Sequence, residues 1–174
     1  MTAWGVEPSK VKEFDWWDEA QVDDTAFTFT LSRHFSGRGV KDRAKSLWGG
    51  WSIISPEHRI YWSGDGGYGD HFKDIGERFG SFDIGFMECG QYNANWHQIH
   101  MFPEESVQAA IDVGVRRAVA VHWGGFALAQ HTWKDPIKRF MNEAQKKDLD
   151  IIMPRLGEVF QTDSSSANWW IELP

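Results

Sequence analysis

The hydropathy pattern of this chain switches between a period of two and a period of three to four, and that alternation points to an α/β fold. AFTFTLS (26–32) sets Phe27, Phe29 and Leu31 against Thr28, Thr30 and Ser32, the signature of a half-buried strand. LWGGWSIIS (47–55) and RIYWSG (59–64) read as two further strands joined by the turn Pro56-Glu57-His58, a hairpin. Asp70 then stands as the cap of a helix with Phe72, Ile75 and Phe79 on one stripe, stopped by Gly80. FDIGFMECG (82–90) is an apolar strand. Pro103, Glu104 and Glu105 open a helix predicted to turn Val107, Ala110 and Ile111 inward until Gly114 ends it. RRAVAVHW (116–123) is a β-branched run, Asp135-Pro136 starts a helix with Ile137, Phe140, Met141 and Ala144 on its inner stripe, and DIIMPRLGEVF (150–160) predicts one or two closing strands.

Bulk properties bound the rest. A chain of 174 residues, 41% apolar, suits one domain with a real core, and no repeat or linker divides it, so 1–174 is read as a single unit with 161–174 as a docking tail. The net charge of −7, a pI near 5.4 and the lack of a basic block argue against a nucleic-acid partner. No run is long and apolar enough to span a bilayer, and the first twenty residues carry no signal-peptide core, which predicts a cytoplasmic protein. The single cysteine, Cys89, excludes an internal disulfide and a Cys-rich zinc site and reads as a small buried hydrophobe. A metal here needs His and carboxylate ligands.

The loop of YWSGDGGYGDHF (61–72) holds Gly64, Gly66 and Gly69 in G-x-G-x-x-G spacing between a strand and a helix, with Glu88 about 20 residues on, the bare dinucleotide pattern. Asp65 and Asp70 would place two negative charges where a pyrophosphate should sit, so electrostatics opposes that reading. Asp65 can simply make a turn. His34 follows AFTFTLS and His122 ends RRAVAV, so three strand ends each present one residue able to bind a metal, and such ends gather along one edge of an open sheet. Two imidazoles and a carboxylate suit zinc or another borderline divalent ion, while a lone strand-end histidine is more often a structural or surface residue.

SRHFSGRG, LWGGW, YWSGDGGY, the Gly-x-Tyr of ECGQYN, HMFPEESV and AVHWGGFAL occur in that order, with VKEFDWWDE before them. In this the chain resembles the metallo-β-lactamase superfamily over roughly residues 10 to 160, in the branch containing N-acyl-phosphatidylethanolamine phospholipase D. The resemblance implies metal ligands at His34, Asp65 and His122, with Asp65 bridging two ions. It gives His100 a catalytic role in proton transfer or phosphate contact, and leaves His58, His71, His97 and His131 as surface or structural residues. It implies a hydrolase that attacks a phosphodiester or related ester, a phospholipid-like substrate among them, with a metal-bound hydroxide. Zinc is the expected cofactor, with iron or manganese as substitutes.

The family's upstream H-x-H-x-D-H motif does not occur in these residues, and residues 1–33 contain no histidine. The resemblance therefore implies half of an αββα sandwich, a mixed sheet with flanking helices, whose inner sheet face is apolar and is completed by a second copy or by a separate N-terminal half. Gly125 and Glu88 stand where close relatives often have Thr and Pro. The 11 tryptophans fit extensive aromatic burial or a lipid pocket. Trp48, Trp51 and Trp62 are read as core, Trp169 and Trp170 as the docking arm. The alternative function is a non-catalytic binding or assembly module that keeps the ligand residues without turnover. A serine hydrolase is a poor third, since no G-x-S-x-G elbow occurs and Ser52 and Ser63 lie in strand patterns.

Overall fold

A computed structural model describes residues 4–37, 39, 41–165 and 168–174. Arg38 of SRHFSGRG and Ser166 and Ala167 of the expected tail lie outside the described residues. Seven strands form one sheet in the order of the chain: β1 (Glu19–Val22), β2 (Thr25–Thr30), β3 (Gly50–Ile54), β4 (Arg59–Trp62), β5 (Phe82–Glu88), β6 (Val115–Val121) and β7 (Asp150–Ile151). The first four pair antiparallel and the last four parallel, which makes the sheet mixed. Helices α1 (His71–Phe79), α2 (Pro103–Val113) and α3 (Asp135–Lys146) make the three crossovers between parallel neighbours.

Crossovers of one hand between successive strands put all three helices on the same face. Their stripes meet Tyr61, Phe82, Met87, Val115, Ala118 and Ala120 of the sheet in the main core, where Phe72, Ile75, Val107, Ala110, Ile137 and Phe140 are buried. Cys89 is buried there too, as expected of a small hydrophobe. The inner stripe of α2 differs from the predicted one. Pro103, Ser106, Val107, Ala109, Ala110 and Val113 are buried, while Ile111 is 38% exposed, because the stripe centres between Ser106 and Ala110 and leaves Ile111 on its far edge. Asp70 occupies the cap position of α1 in helical backbone and makes no side-chain cap bond. Glu105 instead works at the start of α2, where its carboxylate accepts the Phe102 N–H at 2.9 Å.

Tyr61 faces the helices, so by alternation its neighbours Ile60 and Trp62 face the other way. Register then aligns Phe27, Ile53, Ile60 and Ile84 in one row and Phe29, Trp51, Trp62 and Phe86 in the next. No helix among the described residues covers these rows. Trp62 is 43% exposed and Trp51 half-buried. The expectation that Trp48, Trp51 and Trp62 are core is therefore corrected: Trp51 and Trp62 lie on the open face, and Trp48 precedes β3 with its indole N–H on the Ser32 carbonyl. Part of this face is covered by Phe160, which packs on Phe86 beside a cavity of about 420 Å³ lined by His58, Ile60, Ile84 and Phe86.

At the C-terminus the expected closing strands shrink to β7, although the Ile152 N–H still bonds the Ala118 carbonyl; Pro154 has no N–H to continue. Trp170 is buried against the main core and Trp169 stacks on Trp123 with centroids 5.9 Å apart.

Candidate metal centre

β2 runs antiparallel to β3 and β3 to β4, so β2 points the same way as the parallel set β4, β5 and β6. The C-terminal ends of these four strands therefore share one edge. His34 follows β2, Asp65 follows β4, Glu88 is the last residue of β5, and His122 comes directly after β6. His100 reaches the same edge from the segment before α2.

The glycines of YWSGDGGYGD serve close approach of backbone. A Cβ on Gly66 would lie 2.3 Å from Ser32 Oγ, and one on Gly67 would lie 2.3 Å from the Gln98 carbonyl. This loop also receives the Ser32 hydroxyl on the Asp65 carbonyl, and the Gly67 N–H bonds the Arg33 carbonyl at 3.0 Å. The Asp65 loop is thereby fastened to the segments that carry His34 and His100, which is a structural use of the spacing and leaves no phosphate cradle.

Asp65 Oδ1 lies 3.5 Å from His122 Nε2, and Glu88 Oε2 lies 3.9 Å from His122 Nδ1. The same Glu88 oxygen is 2.9 Å from His100 Nδ1. The His100 ring stacks on His122 at 5.2 Å and meets the edge of His34 at 5.1 Å. The four residues predicted from the sequence thus neighbour one another. Among the described residues, Glu88, His100 and His122 offer ligand atoms that all lie within 4.8 Å, close enough to hold a metal ion, with Asp65 and His34 beside them.

Burial holds the His34 and His100 imidazoles below their usual pKa, which keeps them neutral and able to donate a lone pair at neutral pH. Burial pushes the Glu88 carboxyl well up, against the Met101 N–H and His122, which draw it down. His122 adopts φ of +64°, in the left-handed region that costs a non-glycine residue energy, and such strain gathers at functional sites. The donor set, neutral imidazoles and carboxylates facing one another, fits a borderline divalent cation.

Two features escaped the sequence reading. Glu88 was visible only as the acid about 20 residues beyond the glycine loop and as a departure from the proline of close relatives, and neither points to the imidazoles it faces. The −7 net charge also hides a local concentration: residues 33–45 carry five of the 18 Lys and Arg against one acid, Asp42, and so do form a basic stretch around His34.

Residues 2–123 match the family described as Beta-lactamase superfamily domain. The chain belongs to that superfamily. YhfI of Bacillus subtilis, a metallo-beta-lactamase fold protein, superposes on this superfamily member with a TM-score of 0.60 at 16% identity, over 85% of this chain and 54% of that one. The fold is thus the metallo-β-lactamase fold. A Mycobacterium tuberculosis protein is 40% identical over 161 residues, 91% of this chain and 43% of its own length. An N-acyl-phosphatidylethanolamine-hydrolyzing phospholipase D of Saccharomyces cerevisiae is 35% identical over 147 residues, 78% of this chain and 31% of that protein. The chain spans less than half the length of these curated relatives. No helix among the described residues is long and apolar enough to cross a membrane.

Proposed function

We propose that this chain is the metal-holding part of a hydrolase acting on a phosphodiester or related ester, with phospholipid-like substrates as the leading class. The observation that carries the reading is the meeting of Asp65, Glu88, His100 and His122 at one sheet edge, with His34 against them. The phospholipase D relative supports the substrate class, and the basic stretch around His34 suits an anionic headgroup. His34, Asp65 and His122 hold the ion or ions, with zinc expected and iron or manganese as substitutes. Such a cation supplies Lewis acidity and lowers the pKa of a coordinated water. Asp65 offsets the cationic charge while remaining open to solvent, the neutral imidazoles add none, and His100 passes a proton or touches the phosphate.

The remaining donors come from a polypeptide bearing H-x-H-x-D-H, whether continuous with these residues or separate, which also covers the open sheet face. A second reading, a non-catalytic binding or assembly module, draws on that partly open apolar face and on the lack of the motif within these residues.

The test measures bound zinc, iron and manganese by mass spectrometry and hydrolysis of a generic phosphodiester, alone and with a polypeptide supplying the motif. Bound metal with turnover restored by the added polypeptide is the expected result. Metal without turnover under either condition favours the binding module. Asp65→Asn and His122→Ala are each expected to weaken metal affinity at least about 100-fold, beyond the loss usual for residues that only support a ligand. Unchanged affinity in both variants removes them as ligands.

A further inference from the structure

We infer that Glu88 is a positioning residue that fixes the tautomer and orientation of His100 and steadies His122, resting on the reading that these imidazoles serve a metal centre. Its side chain is 1% exposed, and three parts of the chain hold it. Oε1 accepts the Met101 N–H at 2.7 Å, its own N–H bonds Ser63 Oγ at 3.0 Å, and its carbonyl accepts the Ser106 hydroxyl at 2.6 Å. Oε2 lies 2.9 Å from His100 Nδ1 and 3.9 Å from His122 Nδ1, and the Gly66 N–H also engages the carboxyl group.

Burying an acid is costly unless polar partners engage it, and the fold places those partners on both oxygens. The Met101 and Gly66 N–H groups and His122 favour the ionised acid against its burial, and an ionised Oε2 facing His100 accepts the His100 Nδ1–H. The proton is thereby assigned to Nδ1, and Nε2 remains the basic nitrogen of a ring flanked by His34 and His122. This is the arrangement in which a carboxylate orients an imidazole and raises its basicity. The same bonds argue against Glu88 as a direct ligand, because its oxygens are already engaged.

The experiment reads the His100 tautomer by long-range 1H–15N spectra of the metal-free chain, assigned with His100→Gln. Wild type is expected to carry the proton on Nδ1. In Glu88→Gln the amide oxygen still accepts from Met101 and the amide N–H donates to His100, so the proton moves to Nε2. A wild-type proton on Nε2 overturns the proposal whether or not the variant folds, and so does an unchanged tautomer in a folded Glu88→Gln. Cobalt titration supplies the second readout. Affinity is expected to fall about 10- to 100-fold in Glu88→Gln with the visible spectrum of the bound ion unchanged. A changed spectrum, marking a lost ligand, overturns the positioning role. If wild type binds no cobalt, the hydrolase reading fails separately, and the tautomer alone decides the role of Glu88.

Discussion

His71 packs its ring on Phe72 at 4.1 Å in the first turn of α1, and its Nε2 is buried without a hydrogen-bond partner. Burial first, and then the nearby Arg33, lower its pKa to about 4. The unfolded chain takes up this proton near pH 6.5, so the stability from neutral His71 is present above that value and is lost as pH falls toward 4. Between pH 7 and 4.5, wild type should lose roughly 2 kcal/mol more unfolding free energy than His71→Gln, measured by urea titration at each pH. Parallel curves for the two proteins would refute it. The sequence left His71 as a surface or structural residue and gave no hint of this titration, because the burial that dominates it comes from tertiary packing and Arg33 is brought from before the hairpin. That His34, Asp65 and His122 share one edge was legible because periodicity marks where strands stop and strand direction sets the edge, while their reading as ligands came from the family resemblance. Glu88 was not selected, because an acid ending a strand looks the same whether water or two imidazoles face it.

Among the elements, α1 and α2 cross at Gly76, where a Cβ would lie 2.4 Å from the Asp112 carbonyl. Alanine is the better helix former by about 1 kcal/mol, so on propensity alone Gly76→Ala would stabilise α1. Steric conflict with backbone outweighs that gain, and the substitution is expected to destabilise by about 1–3 kcal/mol in chemical denaturation. A rise in stability would show that the helices can part at no cost. The three helices and the central strands were legible from apolar stripes and from Gly and Pro punctuation. β1 was missed since its residues, EAQV, are nearly all exposed and an edge strand needs no alternating apolar face. Ile111 misled because hydrophobicity ranks a residue without saying where the centre of its helix stripe falls.

For the molecule as a whole, the decisive asymmetry is a sheet with helices on one side and two apolar rows on the other. Exposed apolar surface of this kind associates, with itself or with a covering polypeptide. The chain alone is expected to show a sedimentation coefficient that rises with concentration, and Trp62→Lys should shift it toward the monomer value without loss of secondary structure. Concentration-independent sedimentation of wild type as a monomer would contradict this. The strand order has a further consequence. Each strand pairs with the one before it in the chain, so no β-pairing waits for a distant segment to arrive. Contacts of this local kind favour rapid folding, and they let the sheet grow strand by strand as the polypeptide leaves the ribosome, with the metal-site edge assembled only when His122 emerges.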